Sequence, residues 1–118
     1  MANTFFGVAV DCADAAALAR FWADVLGREV ADGATREHAV VLVDREGVHG
    51  PRLAFHQVPE AKTVKNRVHL DLVSTDYDAE AERLIGLGAR KIREIEQGGA
   101  RWTTFGDIEG NEFDLIAG

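Results

Sequence analysis

The sequence predicts an α+β fold in which two β-α-β-β-β modules form facing, curved mixed sheets around a central cleft. Three observations carry this reading. Two apolar stripes at helical spacing each follow a strand-like segment, each is followed by further strand-like runs, and a polar, proline-containing stretch separates the two sets. A repeat of about 55 residues is too short to bury a core alone, so a single domain over 1–118 is expected. Its parts are module 1 at about residues 3–58, a linker at 59–65 and module 2 at about 66–117.

In module 1, Thr4 to Val10 is aromatic and β-branched and reads as a strand. Asp14 is the expected N-cap of a helix whose stripe is Leu18, Phe21, Trp22, Val25 and Leu26, and Gly27 is its expected stop. Strands are then predicted at about Arg28 to Ala31, at Ala39 to Val43 and at Arg52 to Val58. Asp44, Gly47, Gly50 and Pro51 supply the turn between the last two. Residues 59–65 are polar and carry Pro59, the second of two prolines, which marks the linker. Module 2 repeats the order. Arg67 to Ser74 alternates polar and apolar, Thr75 to Asp78 offers a capping-box-like start, and Tyr77, Ala81, Leu84 and Ile85 continue at helical spacing towards Gly86 and Gly88. Strands are expected at Ala89 to Ile95, Arg101 to Phe105 and Asn111 to Ile116, with Asp107 to Asn111 as the last hairpin turn.

Composition narrows the function. The formal charge of −7 repels a phosphate backbone, so nucleic acid is not an expected partner. No stretch is apolar enough to span a membrane and the first residues do not resemble a secretory leader. The lone Cys12 excludes an intrachain disulfide and suits a reducing compartment, so a cytoplasmic protein is expected. On the strand opening module 2, Arg67, His69 and Asp71 share one face and Val68, Leu70 and Leu72 the other, which puts His69 on a polar, wet face. Trp102 and Phe105 have opposite parity, so on a regular strand only one of them can line a pocket. The Lys62, Lys65, Arg67 run reads first as ordinary surface pairing with Glu60 or with Asp78, Glu80 and Glu82, and second as a rim for an anionic ligand.

Several segments resemble one family in order and spacing. Asp14 to Gly27, with Phe21-Trp22 and Val25-Leu26-Gly27, is similar to the first helix of the vicinal-oxygen-chelate superfamily, which includes glyoxalase I, bleomycin-resistance proteins and dioxygenases. Leu87-Gly88-Ala89, the run from Asp107 to Phe113, and Lys65 to Leu72 resemble its second helix end, its terminal hairpin and the motif of its small glyoxalase-like subgroup. The resemblance implies one divalent metal held by a ligand from each of four strands, with positions left open for vicinal oxygens of a substrate. His69 and Asp114 fall on two of those positions. Gly7 falls on the first-strand position and cannot ligate; the remaining one falls on Ala54, with His56 two residues on along the same face.

His56, His69 and Asp114 would make a two-His, one-carboxylate set suited to iron, zinc, nickel or manganese. In the alternative, His56 is a rim residue and His69 a hydrogen-bonding partner of Asp71 or Asp114. The blank ligand strand makes a metal-free cleft the preferred expectation, with Asn66, Arg67, His69, Asp71, Trp102 and Phe105 as ligand-binding candidates. The expected function is therefore binding of a small organic molecule. A first alternative is a lyase, isomerase or dioxygenase using His69 and Asp114, with Glu112 as the nearest further carboxylate. A second is a sequestering protein of the bleomycin-resistance type. Exposed sheet edges and the habit of short relatives lead to an expected homodimer.

Overall fold

The computed structural model describes residues 2–43 and 50–118. The chain divides into two compact units, Met1–Ala61 and Lys62–Gly118. Unit 1 contains β1 (Gly7–Cys12), α1 (Ala15–Leu26), β2 (His38–Val41) and β3 (Arg52–Gln57); unit 2 contains β4 (Leu70–Ser74), α2 (Tyr77–Gly86), β5 (Arg90–Gln97), β6 (Ala100–Gly106) and β7 (Glu112–Ala117). Each unit is one mixed sheet with one helix, so the α+β class stands.

In unit 1 the strand order is β1-β3-β2, with β1 parallel and β2 antiparallel to β3. Helix α1 forms where its caps and stripe dictate. Asp14 accepts a hydrogen bond from the Ala17 N–H at 3.1 Å, and Gly27, at φ 64°, closes the other end by donating to the Ala23 carbonyl. Phe21 and Trp22 are buried in edge-to-face contact at 5.6 Å. The sheet offers this helix its odd-numbered face, Leu53 and Phe55 of β3 with Ala39 and Val41 of β2, all buried.

Two sequence expectations shift here. The strand expected from Thr4 begins only at Gly7, because its partner β3 begins at Arg52, one residue after a proline that has no N–H to give the ladder. Gly7 is also required, since a Cβ there would lie 2.6 Å from the Arg52 carbonyl oxygen. The strand expected at Arg28 to Ala31 is reduced to a bridge between Val30 and Val41, with Ala31 donating to Val40 and Leu42 to Glu29; the chain then turns away at Gly33, φ 88°. The turn assigned to Asp44 and Gly47 lies outside the described residues.

Unit 2 has the complete β-α-β-β-β order, in a sheet ordered β4-β7-β6-β5. Its helix-side core is Phe105 and Thr103 of β6, Phe113 and Leu115 of β7, and Tyr77 and Leu84 of α2, all buried. Phe105 stacks on Phe113 at 5.7 Å, and the Tyr77 hydroxyl hydrogen-bonds the Thr103 hydroxyl beneath the helix. No side chain caps α2 at Asp76, so the expected capping box is absent; the Ser74 hydroxyl instead accepts from the Asp76 N–H at 3.1 Å. Strand β4 starts at Leu70 rather than Arg67, because the Asn66 side chain takes the Glu112 carbonyl at 2.8 Å, an acceptor a longer ladder could have used.

The β6-β7 hairpin is set by Asp107. Its buried carboxylate accepts from the Glu109 and Asn111 N–H groups at 2.9 and 3.0 Å and from the Asn111 amide, while Gly110, φ 87°, supplies the left-handed residue. Hydrogen bonds to a buried charged acceptor are worth about 1.5–3 kcal/mol each and leave orphan donors when the acceptor is removed. Asp107→Ala is therefore expected to lower the unfolding free energy by roughly 2–3 kcal/mol, measured by urea denaturation, and Asp107→Asn to lose less.

Candidate functional site

Residues that pair across a sheet point to the same side, so the register of unit 2 fixes what its face away from α2 displays. One row crosses all four strands: Asp71 pairs with Asp114, Asp114 with Thr104, and Thr104 with Arg93. The next row is apolar, with Ile116 opposite Trp102 and Trp102 opposite Ile95. These two rows form the floor of a groove of about 540 Å³, whose lining also includes Lys65, His69 and Glu112.

The polar row is tied together at its carboxylate end. The Thr104 hydroxyl donates to one oxygen of Asp114 at 2.6 Å, and the His69 Nε2 lies 3.2 Å from the other. The same Nε2 is 3.4 Å from Asp71. Asp114 keeps only 15% of its side chain exposed, against 56% for Asp71, so it is the more confined of the two acids. A single N–H cannot be given fully to two carboxylates, and two like charges this close are stabilised by a cation between them.

The donor set fits a divalent ion. One donor atom from each of His69, Asp71 and Asp114 lies within 4.8 Å of the others, close to the roughly 3–4.4 Å that separates ligands each about 2.0–2.2 Å from a shared ion. One imidazole with two carboxylates suits zinc, iron or manganese, and the exposed side of the cluster leaves coordination positions open.

The remaining candidates separate clearly. Glu112 lines the groove and pairs with Lys62 at 3.3 Å. Burial pushes its carboxyl upward, but its own backbone N–H and the Lys62 ammonium more than offset that and leave it below its ordinary value. Asn66 holds the incoming chain on β7 and does not line the groove, and Arg67 is exposed outside it. Trp102 lines the groove; Phe105 does not, being fully buried against Phe113 on the opposite face, as its parity requires. His56 lies in unit 1, beside His38, and within unit 2 the group of donors that includes His69 and Asp114 also takes in Asp71.

Thr104, Arg93, Ile95 and Ile116 were not among the ligand-binding candidates named from the sequence. Parity relative to Asp114 and Trp102 was the available signal for Thr104 and Ile116. Arg93 depends on a register shift between Lys91 and Arg93, which no sequence pattern announces. Of the Lys62, Lys65, Arg67 run, Lys62 pairs with Glu112 rather than Glu60 or the α2 acids, and Lys65 faces the groove.

No curated protein sequence matches this chain. Solved structures do. The fosfomycin resistance protein FosX from Mesorhizobium loti is 18% identical over 100% of this chain and 94% of its own, with a TM-score of 0.74. A mutant of FosX from Listeria monocytogenes, complexed with Mn(II) and 1S,2S-dihydroxypropylphosphonic acid, is 17% identical over 100% and 92%, with a TM-score of 0.77. The oxidase ChaP-H2 is 23% identical over 99% and 95%, with a TM-score of 0.71. These likenesses are of fold. A family model described as the glyoxalase-like domain matches residues 7–116, and the chain therefore belongs to the glyoxalase-like domain family, within the vicinal-oxygen-chelate superfamily.

Proposed function

We propose that this protein binds a small organic molecule on the face of the unit 2 sheet turned away from α2, within one domain made of both modules. The observation that carries the reading is the pairing of a polar row, Asp71, Asp114, Thr104 and Arg93, with an apolar row, Ile116, Trp102 and Ile95, on the floor of one groove. A ligand with an apolar body and a polar end matches that division. The apolar row supplies burial, and the few convergent polar groups supply orientation. The end of the polar row at β4 and β7 is acidic with one imidazole, and the end at β5 is the Arg93 guanidinium, so a dipolar or zwitterionic ligand is better matched than a purely cationic one.

A second reading, favoured by the three donors of His69, Asp71 and Asp114, is a metal-dependent enzyme of lyase, isomerase or dioxygenase type. A divalent ion held there would act as a Lewis acid towards ligand oxygens. The chain's own contribution is positioning. Thr104 fixes Asp114 by its hydrogen bond, Asp114 orients His69, and Trp102 with the isoleucines shields the ligand's apolar side from water. The sequestering role without turnover uses the same groove and is separated from the enzymatic one by a turnover assay.

A homodimer is proposed on the edge position of β4, where Val73 is 71% exposed. Among the described residues no helix is long and apolar enough to cross a membrane, and a cytoplasmic location is proposed on the sequence's single cysteine, Cys12.

Thermal shift with a set of small aromatic and aliphatic amino acids, acids and amines is expected to give binders. A ligand tenfold above its Kd contributes about 1.4 kcal/mol, or roughly 4 °C or more in Tm. Trp102→Ala is expected to abolish the shift and Phe105→Leu to retain it; no binder in the set, or equal shifts in Trp102→Ala, overturns the reading. For the metal, Mn(II) titration followed by electron paramagnetic resonance is expected to show about one bound equivalent, lost in Asp114→Asn and in His69→Ala. An unchanged Mn(II) signal in both variants contradicts the cluster as the metal site.

A further inference from the structure

Unit 1 carries a second constellation that the function above does not use. His38 of β2 is the register partner of His56 of β3, and His56 is in turn the partner of Asp11 of β1. The three therefore form one row across the sheet, His38-His56-Asp11, with all three side chains on the face turned away from α1 and all three exposed. The two imidazoles lie side by side, ring centroids 4.8 Å apart and planes at 47°, and no hydrogen bond links either ring to the described residues. The row beside them is Val40, Ala54 and Ala9, all with short apolar side chains.

Both histidine backbones are held firmly. The turn before β2 closes on His38, with the Thr35 N–H donating to the His38 carbonyl at 2.9 Å and the His38 N–H donating to the Thr35 hydroxyl at 3.2 Å. The Gln57 N–H, next to His56, donates to the Glu37 carbonyl at 2.9 Å, and the Cys12 thiol lies 3.5 Å from the His56 carbonyl. Two imidazoles on paired positions of a rigid sheet reach a common ion by side-chain rotation alone, so little ordering entropy opposes chelation. Asp11 is one strand further on, at the register position paired with His56, and its side chain is exposed.

We propose that His38 and His56, with Asp11 as a third donor, form a binding site for a late first-row divalent ion, copper, nickel or zinc, on the unit 1 sheet. Imidazole pairs prefer these ions over manganese and magnesium, in contrast to the carboxylate-rich cluster of unit 2. The site stands on the register and ring contact of unit 1 and does not depend on the ligand reading given above.

The test uses full-length His69→Ala protein, which removes the imidazole of the unit 2 cluster, titrated with Ni(II) or Zn(II) by isothermal calorimetry. Binding of about one equivalent is expected, weakened at least tenfold by His38→Ala and by His56→Ala. That is the lower end of what even a supporting partner of a metal ligand contributes. Asp11→Asn is expected to weaken it by a smaller factor. As a readout without further mutation, the electron paramagnetic resonance spectrum of Cu(II) on this His69→Ala protein is expected to show coupling to two imidazole nitrogens, reduced to one in either single variant. Unchanged affinity in His38→Ala and His56→Ala, or a Cu(II) spectrum without two-nitrogen coupling, overturns the site. A failure here leaves Mn(II) binding at Asp114 unaffected, so the two readings fail separately.

Discussion

Strand β7 must lie between β4 and β6 in one register, and the chemistry of unit 2 depends on it. Its sequence alternates Glu112, Asp114 and Ile116 with Phe113 and Leu115. A slip of one residue would send both acids into the helix-side core and both apolar residues into the groove. Phe113, stacked on Phe105 and buried with Leu84 of α2, makes that slip costly. Burial of a phenylalanine or leucine side chain contributes about 1.5–3 kcal/mol, while an unpaired carboxylate placed in the same space loses far more. The core thus aims Asp114, and the Asp107 turn sets where β7 begins.

The register converts a one-dimensional alternation into a two-dimensional pattern. A charged row and an apolar row run side by side across the same strands, and His69, just before β4, closes the charged row at one corner. Asp114 is confined and already bonded to Thr104, whereas Asp71 is half exposed and shares the His69 N–H. That difference in environment gives the cluster one fixed and one adjustable carboxylate. The cluster can therefore accept a cation or a ligand donor without rebuilding the sheet beneath it.

Much of this was legible from residue order. The caps of α1 at Asp14 and Gly27 and the turn at Asp107 to Asn111 are local chemistry, and they sit where the pattern places them. His69 and Asp114 came from the family resemblance, strand parity put His69 on the polar face, and parity also foretold that Trp102 and Phe105 would part company. What was not legible is pairing between strands. Asp71 joins His69 and Asp114 because β4 lies beside β7, and His56 has His38 for a neighbour because β2 and β3 align those two residues; neither register is written in either segment alone. The starts of β1 and β4 moved for related reasons, one through the partner strand's Pro51 and the other through the Asn66 side chain.

The proposed ligand-binding surface is the face of the unit 2 sheet turned away from α2. The most direct measurement is a backbone amide NMR titration of the full-length protein with a set of small aromatic amino acids and carboxylates. The largest shifts are expected on Asp71, Trp102, Thr104 and Asp114, whose side chains share that face, with Thr103 and Phe105 of β6 moving less. Shifts confined to unit 1, or to the helix-side core, would contradict it.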